Sequence, residues 1–330
     1  MDVEALTKQL LEIPSPSGEE GRVGRLLARR LAVNFKVRTQ KAGRGFNVLA
    51  TAGDPRLLLT THMDTVPKQL KVREDSEYIY GRGACDAKGI AAAMICAGEA
   101  AIRSGCGGFG LLFDVDEETG LSGIRKAVKL VKPELVVVGE PTKLRVVRGQ
   151  KGLLALRITC RGRAAPAATP AEGRSAIDDL ISILGEIRAL RLPRDPVMGD
   201  TTLNIGRISG GTAQNVVADY AYADVEFRTS VPNTGILKKV ERAAAKAKIK
   251  VEADYDYVLV GGSSMERQFK QKAAIAPYFT EMFFWKEKSE VAVFGPGDYG
   301  YAHSDNEKIA KKDLREGVAA YLKIIRELAP

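Results

Sequence analysis

The sequence predicts an α/β fold with a mixed, largely parallel sheet, interrupted by an inserted ferredoxin-like α+β domain. Over residues 1–151, apolar runs of strand length alternate with segments of helical periodicity, which is typical of a largely parallel sheet. Over residues 152–262 the order becomes strand, helix, strand, strand, helix, strand, the split βαβ arrangement. The first pattern returns in residues 263–330. We therefore expect one domain formed by residues 1–151 and 263–330, with residues 152–262 inserted into it.

The helices and strands of the first domain follow from apolar periodicity and turn residues. Residues 1–11 have the pattern of a charged amphipathic helix. Ser17 and Glu20 have the S-x-x-E spacing of a capping box, which predicts a second helix at residues 18–33. The remaining elements are predicted as strands at 37–39, 47–51, 57–61, 108–115, 135–138 and 291–294, and as helices at 87–104, 121–130, 266–284 and 312–328.

The inserted domain differs from the rest of the chain in chemistry as well as in pattern. It carries no histidine. Its strands are predicted at residues 153–160, 202–208, 216–228 and 248–257, and its helices at residues 176–189 and 236–246.

Composition and charge narrow the class of protein. No stretch of the 330 residues approaches the roughly 18 apolar residues that span a bilayer, so we expect no membrane segment and a cytoplasmic protein. The four cysteines show no C-x-x-C pairing, which argues against a disulfide framework or a thiolate zinc site. The net charge of +9 suits an acidic partner or substrate, whereas scattered basic residues without interleaved aromatics argue against nucleic acid.

The two histidines are the most informative residues of the chain. His62 lies in the motif HMDTVP and His303 in the motif AHSDNE, so both imidazoles have carboxylates as neighbours. Three more carboxylate motifs lie between them, namely GRGACDAKG, DEETG and GEPT. Since His62, DEETG and GEPT each follow a predicted strand closely, we expect them to meet at the carboxyl edge of the sheet.

These side chains form a donor set for two divalent metal ions. Imidazole and carboxylate without thiolate suit Zn²⁺, and they also tolerate Co²⁺ or Mn²⁺. Asp86 is the candidate bridge, because a carboxylate can give one oxygen to each ion. In the Glu117–Glu118 pair the side chains point different ways, so one can ligate while the other accepts a proton from water. Asp64, two residues after His62, is placed to accept the other ring N–H and fix the tautomer.

The ordered motifs HxDxVP, GRGxxDxKG, DEExG, GEPT and AHxxxE resemble those of the M20 family of co-catalytic metallopeptidases and amidohydrolases, nearly from end to end of the chain. The resemblance implies a di-metal, aminopeptidase-like catalytic domain with an inserted lid and dimerisation domain. It also implies Glu117 as general base, Asp64 as support for His62, and a cis peptide bond between Asp86 and Ala87. By the same resemblance, one metal is bound by His62, Asp86 and Glu140, and the other by Asp86, Glu118 and His303.

The inserted domain both matches the family and departs from it. The segment GGTAQNVV resembles the family's GGTxxNVV, which implies Asn215 and Arg228 as substrate-binding residues, Arg228 for a carboxylate. Pro166 stands where family members commonly carry a histidine that stabilises the oxyanion in a neighbouring active site. Losing one oxyanion donor typically costs about 10²- to 10³-fold in rate. Either Arg163, Asn215 or Thr169 replaces that histidine, or the enzyme catalyses its reaction slowly, or it has no catalytic turnover.

The resemblance implies hydrolysis of an amide bond. Glu140, rather than aspartate, in GEPT favours the N-acyl amino acid deacylases over the carboxypeptidases. The compact length and the GPGDxxxAH ending look most like hydrolases of lysine and arginine biosynthesis that release lysine or ornithine from an acidic amino-group carrier protein. We therefore expect an N-acyl amino acid or carrier-linked substrate and a homodimer formed through the inserted domain. The alternatives are an acetylornithine deacetylase or succinyl-diaminopimelate desuccinylase, a dipeptidase or aminopeptidase, and a metal-binding relative without turnover.

Overall fold

The computed structural model describes residues 2–261 and 264–329. The chain divides into two compact units. The first comprises residues 1–148, 260–274 and 284–330, and the second comprises residues 149–259 and 275–283. The second unit thus includes residues 275–283, which the sequence places in the first domain, while the predicted boundary between residues 262 and 263 lies outside the described residues.

The N-terminal part of the chain alternates helices and strands as predicted. All four predicted helices and all five predicted strands of this part are present, together with three short strands that were not predicted. The helices are α1 (Val3–Leu11), α2 (Gly21–Leu31), α3 (Lys88–Arg103) and α4 (Ser122–Ala127). The strands are β1 (Lys36–Ala42), β2 (Gly45–Ala52), β3 (Leu57–His62), β4 (Arg73–Glu74), β5 (Tyr78–Tyr80), β6 (Phe109–Asp114), β7 (Leu135–Val138) and β8 (Val147–Gln150).

The elements of the second unit are β9 (Gly152–Arg161), α5 (Ala176–Arg188), β10 (Arg194–Asp195), β11 (Gly199–Asp200), β12 (Thr202–Gly210), β13 (Tyr220–Thr229), α6 (Asn233–Ala243), β14 (Lys248–Tyr255) and β15 (Val258–Leu259). Its main sheet has the order β12-β13-β9-β14 with antiparallel neighbours, so the first strand in sequence lies between the third and the fourth. Helices α5 and α6 bury Leu180, Ile183 and Val240 against one face of this sheet. The second unit is therefore ferredoxin-like, as the sequence predicts.

The predicted helix at residues 266–284 is wrong. The chain forms two short helices there, with a strand between them. Lys270 has a φ of 51°, which ends the first helix, and Pro277 disfavours helical geometry at Ala276. The remaining elements are α7 (Ser264–Phe269), β16 (Ala274–Ala276), α8 (Met282–Trp285), β17 (Glu290–Val293), β18 (Lys308–Ala310) and α9 (Lys311–Leu328).

The main sheet of the first unit is mixed, with a parallel centre. Its strands follow the order β1-β2-β6-β3-β7-β17-β8. The β6, β3, β7 and β17 strands pair in parallel, whereas β1, β2 and β8 pair antiparallel towards the two edges. The β3 and β6 strands are buried along their whole length, as expected for strands covered on both faces. The carboxyl ends of β3, β6 and β7 therefore meet at one edge.

Three further observations complete the fold. The β5 strand pairs antiparallel with both β4 and β18, so a small separate sheet joins the early chain to its C-terminal part. All four cysteines are free. Within residues 2–261 and 264–329, no helix combines the length and apolar character that crossing a membrane requires.

Candidate metal centre

The parallel centre of the sheet brings the predicted ligands of the first unit together. His62 is the last residue of β3, and the loops that follow β6 and β7 carry Glu118 and Glu140. Asp86 lies just before α3, and His303 lies in the loop before β18. The donor atoms form two groups, in each of which they lie within 4.8 Å of one another: His62, Asp86 and Glu140, and Asp86, Glu118 and His303.

Asp86 belongs to both groups. Its Oδ1 lies 3.0 Å from Nε2 of His62, and its Oδ2 lies 3.4 Å from Nε2 of His303. Oε1 of Glu118 is 3.1 Å from the same His303 nitrogen. Each oxygen of Asp86 therefore faces a different imidazole, which is the arrangement of a carboxylate that bridges two ions. The Asp86–Ala87 peptide bond is cis, as the family resemblance implies.

The protonation of the two histidines reflects the surrounding carboxylates. Burial lowers the pKa of His62, but hydrogen bonds with Asp64 and Asp86 outweigh it and leave this pKa well above its usual value. Hydrogen bonds with Asp86 and Glu118 raise the pKa of His303 to about 10, although half of its side chain is exposed. Without metal, the raised pKa values favour protonated imidazoles, which offset part of the negative charge of the carboxylates. Divalent cations satisfy the same charge requirement, so the donor set fits metal ions.

Asp64 connects the first histidine to the Glu117–Glu118 pair. Its buried carboxylate accepts hydrogen bonds of 3.1 Å from the backbone N–H groups of Glu117 and Glu118. Nδ1 of His62 lies 3.1 Å from the Asp64 carbonyl oxygen and 3.5 Å from its Oδ1. The nearer Nδ1 partner is therefore the backbone carbonyl, while the predicted carboxylate contact is longer. Both contacts orient the imidazole so that Nε2 faces Asp86.

The capping box predicted for α2 is wrong, and its two residues contact Asp64 and Asp116 instead. Helix α2 begins at Gly21 without a side-chain cap. Ser17 donates to Oδ2 of Asp64, 47 residues away in sequence, with an O···O distance of 2.7 Å. Buried Glu20 accepts hydrogen bonds from the N–H groups of Gly18 (2.8 Å) and Asp116 (3.2 Å). No local sequence signal identifies Asp64 and Asp116 as partners, because these two contacts are made across the fold.

The two predicted substrate-binding residues lie in the second unit, whereas the predicted ligands, Asp64 and Glu117 belong to the first. Arg228 is on β13, where its Nε is 2.8 Å from Oε1 of Glu226. Asn215 is exposed in the loop before β13, and its carbonyl oxygen accepts a 2.9 Å hydrogen bond from the N–H of Ala167. Arg228 is thus half-buried in an ion pair within the second unit, whereas Asn215 is exposed.

Pro166 lies directly beside the GGTAQNVV segment. It forms an antiparallel bridge with Val216. Of the three candidate replacements for the histidine, Arg163 uses its Nε to donate to the carbonyl of Glu172 at 2.8 Å, and Asn215 is next to the Pro166 bridge. A groove of about 600 Å³ runs along this region, lined by residues 170, 173–175, 177–178, 210–214 and 216–218.

Comparison with known proteins decides the family. The chain matches the sequence model of Peptidase family M20/M25/M40 over residues 58–327. The chain belongs to this family. A protein named "Probable carboxypeptidase" from Aspergillus flavus is 33% identical over 96% of this chain and 85% of its own length.

Two solved structures share the fold of this M20-family chain. A tripeptidase from Staphylococcus aureus has a TM-score of 0.83 at 24% identity, covering 99% of this chain and 98% of its own. A dinuclear metal-binding M20 peptidase from Bacillus subtilis has a TM-score of 0.68 at 16% identity, covering 99% and 98%.

Family membership confirms the predicted class of fold and of enzyme. The M20-family chain is a metal-dependent hydrolase with a mixed α/β fold. The two groups of ligands that share Asp86 can each hold a metal ion.

Proposed function

We propose that the chain hydrolyses an amide bond with two divalent ions, Zn²⁺ in the first place and Co²⁺ as the alternative. The observation that carries this proposal is the carboxylate of Asp86, whose two oxygens face His62 and His303. When bound, the two ions supply a Lewis acid for the substrate carbonyl and lower the pKa of a water molecule. The remaining ligands proposed for them are Glu140 and Glu118.

Glu117 is the proposed general base. Its backbone N–H is held by Asp64, and the neighbouring Glu118 is a proposed ligand, so the Glu117 carboxylate can take a proton from water at the metal site. Besides the hydrogen bonds with Asp64 and Asp86, the negative charge of Glu117 helps to raise the pKa of buried His62, which supports a place for Glu117 near the metal centre. Glu117 would then deliver the proton to the leaving amine.

The proposed substrate carries a free carboxylate, for which Arg228 and Asn215 are the binding residues. The specific substrate that we propose is lysine or ornithine in N-acyl or carrier-linked form. A peptide with a free C-terminus is the second candidate, because the 33%-identical Aspergillus relative is named "Probable carboxypeptidase". In both cases the guanidinium of Arg228 can bind the carboxylate through two parallel hydrogen bonds.

An acidic carrier as partner is supported by the distribution of charge. The basic residues look scattered over the whole chain, but residues 21–52 contain eight of them and no acidic residue. This segment has a charge of +8 and leaves 42 basic and 41 acidic residues, or +1, for the rest. Arg30 pairs with Glu99 at 2.9 Å. The other seven, Arg22, Arg25, Arg29, Lys36, Arg38, Lys41 and Arg44, are exposed on α2, β1 and the β1–β2 turn. Such a surface favours association with an acidic protein.

We also propose a homodimer formed through the second unit. Its outer strand, β12, lies at the edge of the sheet, and edge strands readily pair with another chain. Ile181 and Ile208 of this unit are 64% and 63% exposed, so apolar surface is available for contact with a second copy. A cytoplasmic location agrees with the four free cysteines.

The test is release of free lysine and ornithine from carrier-linked, N-acetyl and N-succinyl forms, alongside dipeptides and tripeptides, with Zn²⁺ or Co²⁺ added. Glu117→Ala is compared with wild type, and Glu241→Ala, on the exposed face of α6, is the matched control. We expect release by wild type and by the Glu241 variant but not by the Glu117 variant. Cleavage of peptides alone would select the second candidate. Bound metal without any hydrolysis would indicate the relative that has lost turnover.

A further inference from the structure

Glu307 accepts hydrogen bonds from the loop that carries Asp86. The Glu307 carboxylate is only 1% exposed, and its Oε1 accepts hydrogen bonds from three backbone N–H groups of that loop. The N···O distances are 2.9 Å for Gly83, 3.3 Å for Cys85 and 3.2 Å for Asp86. A single carboxylate oxygen thus fixes the backbone of the loop that carries Asp86, the shared metal ligand.

Arg82 holds the other oxygen of Glu307. Its Nη1 donates to Oε2 of Glu307 at 2.7 Å, and its Nε donates to the carbonyl oxygen of Lys68 at 3.2 Å. The Arg82 side chain is 3% exposed, so the two charges form a buried pair. Removing one partner of such a pair leaves an uncompensated buried charge.

The same contacts join two segments that are more than 220 residues apart in sequence. The N–H of Gly81 donates to the carbonyl oxygen of Glu307 at 3.1 Å, and Tyr80 of β5 pairs with Lys308 of β18. Glu307 follows His303 closely in the chain, and Arg82 precedes Asp86 closely. The loop of the shared carboxylate is therefore bonded to the loop of the second histidine.

We propose that Glu307, held by Arg82, is a positioning residue for Asp86 and keeps its two oxygens directed at the two metal positions. This inference rests on the proposed pair of metal ions. A buried salt bridge alone is weak evidence for a role, because apolar residues of similar volume can be equally stable. Here Oε1 accepts hydrogen bonds from three backbone N–H groups, and no apolar side chain could accept them. Loss of these hydrogen bonds would let the Asp86 loop move.

The expected consequence is a loss of metal affinity. Substitution of residues that orient metal ligands typically reduces metal affinity or activity by about 10- to 100-fold. Glu307→Gln keeps an acceptor oxygen for the three amides but loses the charge that faces Arg82. We expect this variant to bind Zn²⁺ and Co²⁺ about 10-fold more weakly, and we expect the visible spectrum of bound Co²⁺ to change because its ligand geometry changes.

The experiment is a chelator competition that measures affinity and stoichiometry for wild type, Glu307→Gln and Arg82→Lys, together with Co²⁺ spectra and thermal unfolding of the metal-free proteins. Glu134→Gln is the matched control, because the exposed Arg56–Glu134 pair has the same 2.7 Å separation in the same unit. We expect the control to stay within twofold of wild type. Arg82→Lys provides the test if the Glu307 variant does not fold.

The outcomes are separable. A folded Glu307→Gln protein with wild-type metal affinity and Co²⁺ spectrum would overturn the positioning role, even if its melting temperature fell. Weaker metal binding with an altered spectrum at a temperature where the variant is folded would support it. If wild type itself bound no metal pair, the proposed function would fail, which is a different result.

Discussion

The hydroxyl group of Ser17 donates a 2.7 Å hydrogen bond to Oδ2 of Asp64. Asp64 is fully buried, and the same carboxylate accepts the N–H groups of Glu117 and Glu118. Burial raises the pKa of Asp64, but hydrogen bonds with His62 and Ser17 bring it below the usual value. Ser17 therefore helps to keep Asp64 ionised.

Replacing Ser17 by alanine should destabilise the protein. The change removes a hydrogen bond to a buried carboxylate, and we expect the free energy of unfolding to fall by about 1–3 kcal/mol. Denaturant unfolding of the metal-free protein measures this difference. Ser209→Ala, at an exposed position of β12, is the control and should change stability by less than about 0.5 kcal/mol. Equal stability of the two variants would contradict a supporting role for Ser17.

Replacing Glu117 by glutamine should separate catalysis from metal binding. The backbone N–H that Asp64 holds is retained, while the carboxylate that accepts the proton is lost. We expect kcat to fall by about 10²- to 10⁴-fold, the usual contribution of a general base. Metal content, measured by elemental analysis, should stay at the wild-type value. A parallel loss of metal would instead identify Glu117 as a ligand.

Metal binding should release protons. The pKa of His303 is raised to about 10 without metal, so the folded protein holds a proton there that an unfolded histidine loses near pH 6.5. The stability from this proton is fully present below about pH 6.5 and is lost as the pH rises through about 10. A metal ion must displace the proton, so its affinity should increase with pH across that window.

Calorimetry of Zn²⁺ binding at pH 7, in buffers of different ionisation enthalpy, counts the protons released. We expect His303→Asn to release fewer protons than wild type. Binding without proton release in wild type would show that the imidazoles are neutral before the metal arrives.

Two glycine substitutions should have opposite effects on stability. A Cβ at Gly89 in α3 would lie 2.2 Å from the carbonyl oxygen of Ala84 in the Asp86 loop. Because backbone would have to move, Gly89→Ala should cost about 1–3 kcal/mol of unfolding free energy. Gly185 in α5 has nothing within 4 Å of such a Cβ, so Gly185→Ala should stabilise by about 0.5–1 kcal/mol. Denaturant unfolding of both variants tests the pair, and a stabilised Gly89 variant would refute the close contact.

Replacing Arg228 by alanine should weaken recognition of a substrate carboxylate. Loss of charge-assisted hydrogen bonds to a carboxylate should lower kcat/KM by about 10- to 100-fold. The effect should disappear for substrates whose carboxylate is amidated. Arg194→Ala, at an exposed position of β10, should leave kcat/KM unchanged. An equal effect of Arg228→Ala on free and amidated substrates would assign the arginine a different role.

The sequence predicted most of the architecture because its signals are local. Periodicity located α3 to within a residue or two and β7 at its observed bounds. It failed at residues 266–284, which were predicted as a single helix. Lys270 and Pro277 end the helical geometry, and the intervening residues extend so that Ala274 can donate to the carbonyl of Val146 at 2.8 Å.

What the sequence determined by itself was the family, the alternation of strands and helices over most of the chain, and the donor types available for metal. These properties are encoded in short motifs such as HxDxVP and in the scarcity of histidine. The tertiary structure decided how the donors are held. Ser17 contacts Asp64 across 47 residues, and Glu307 contacts the Asp86 loop across more than 220. A buried carboxylate accepts hydrogen bonds from the N–H and O–H groups that the folded chain places next to it. The spacing of residues along the sequence does not show which groups these are.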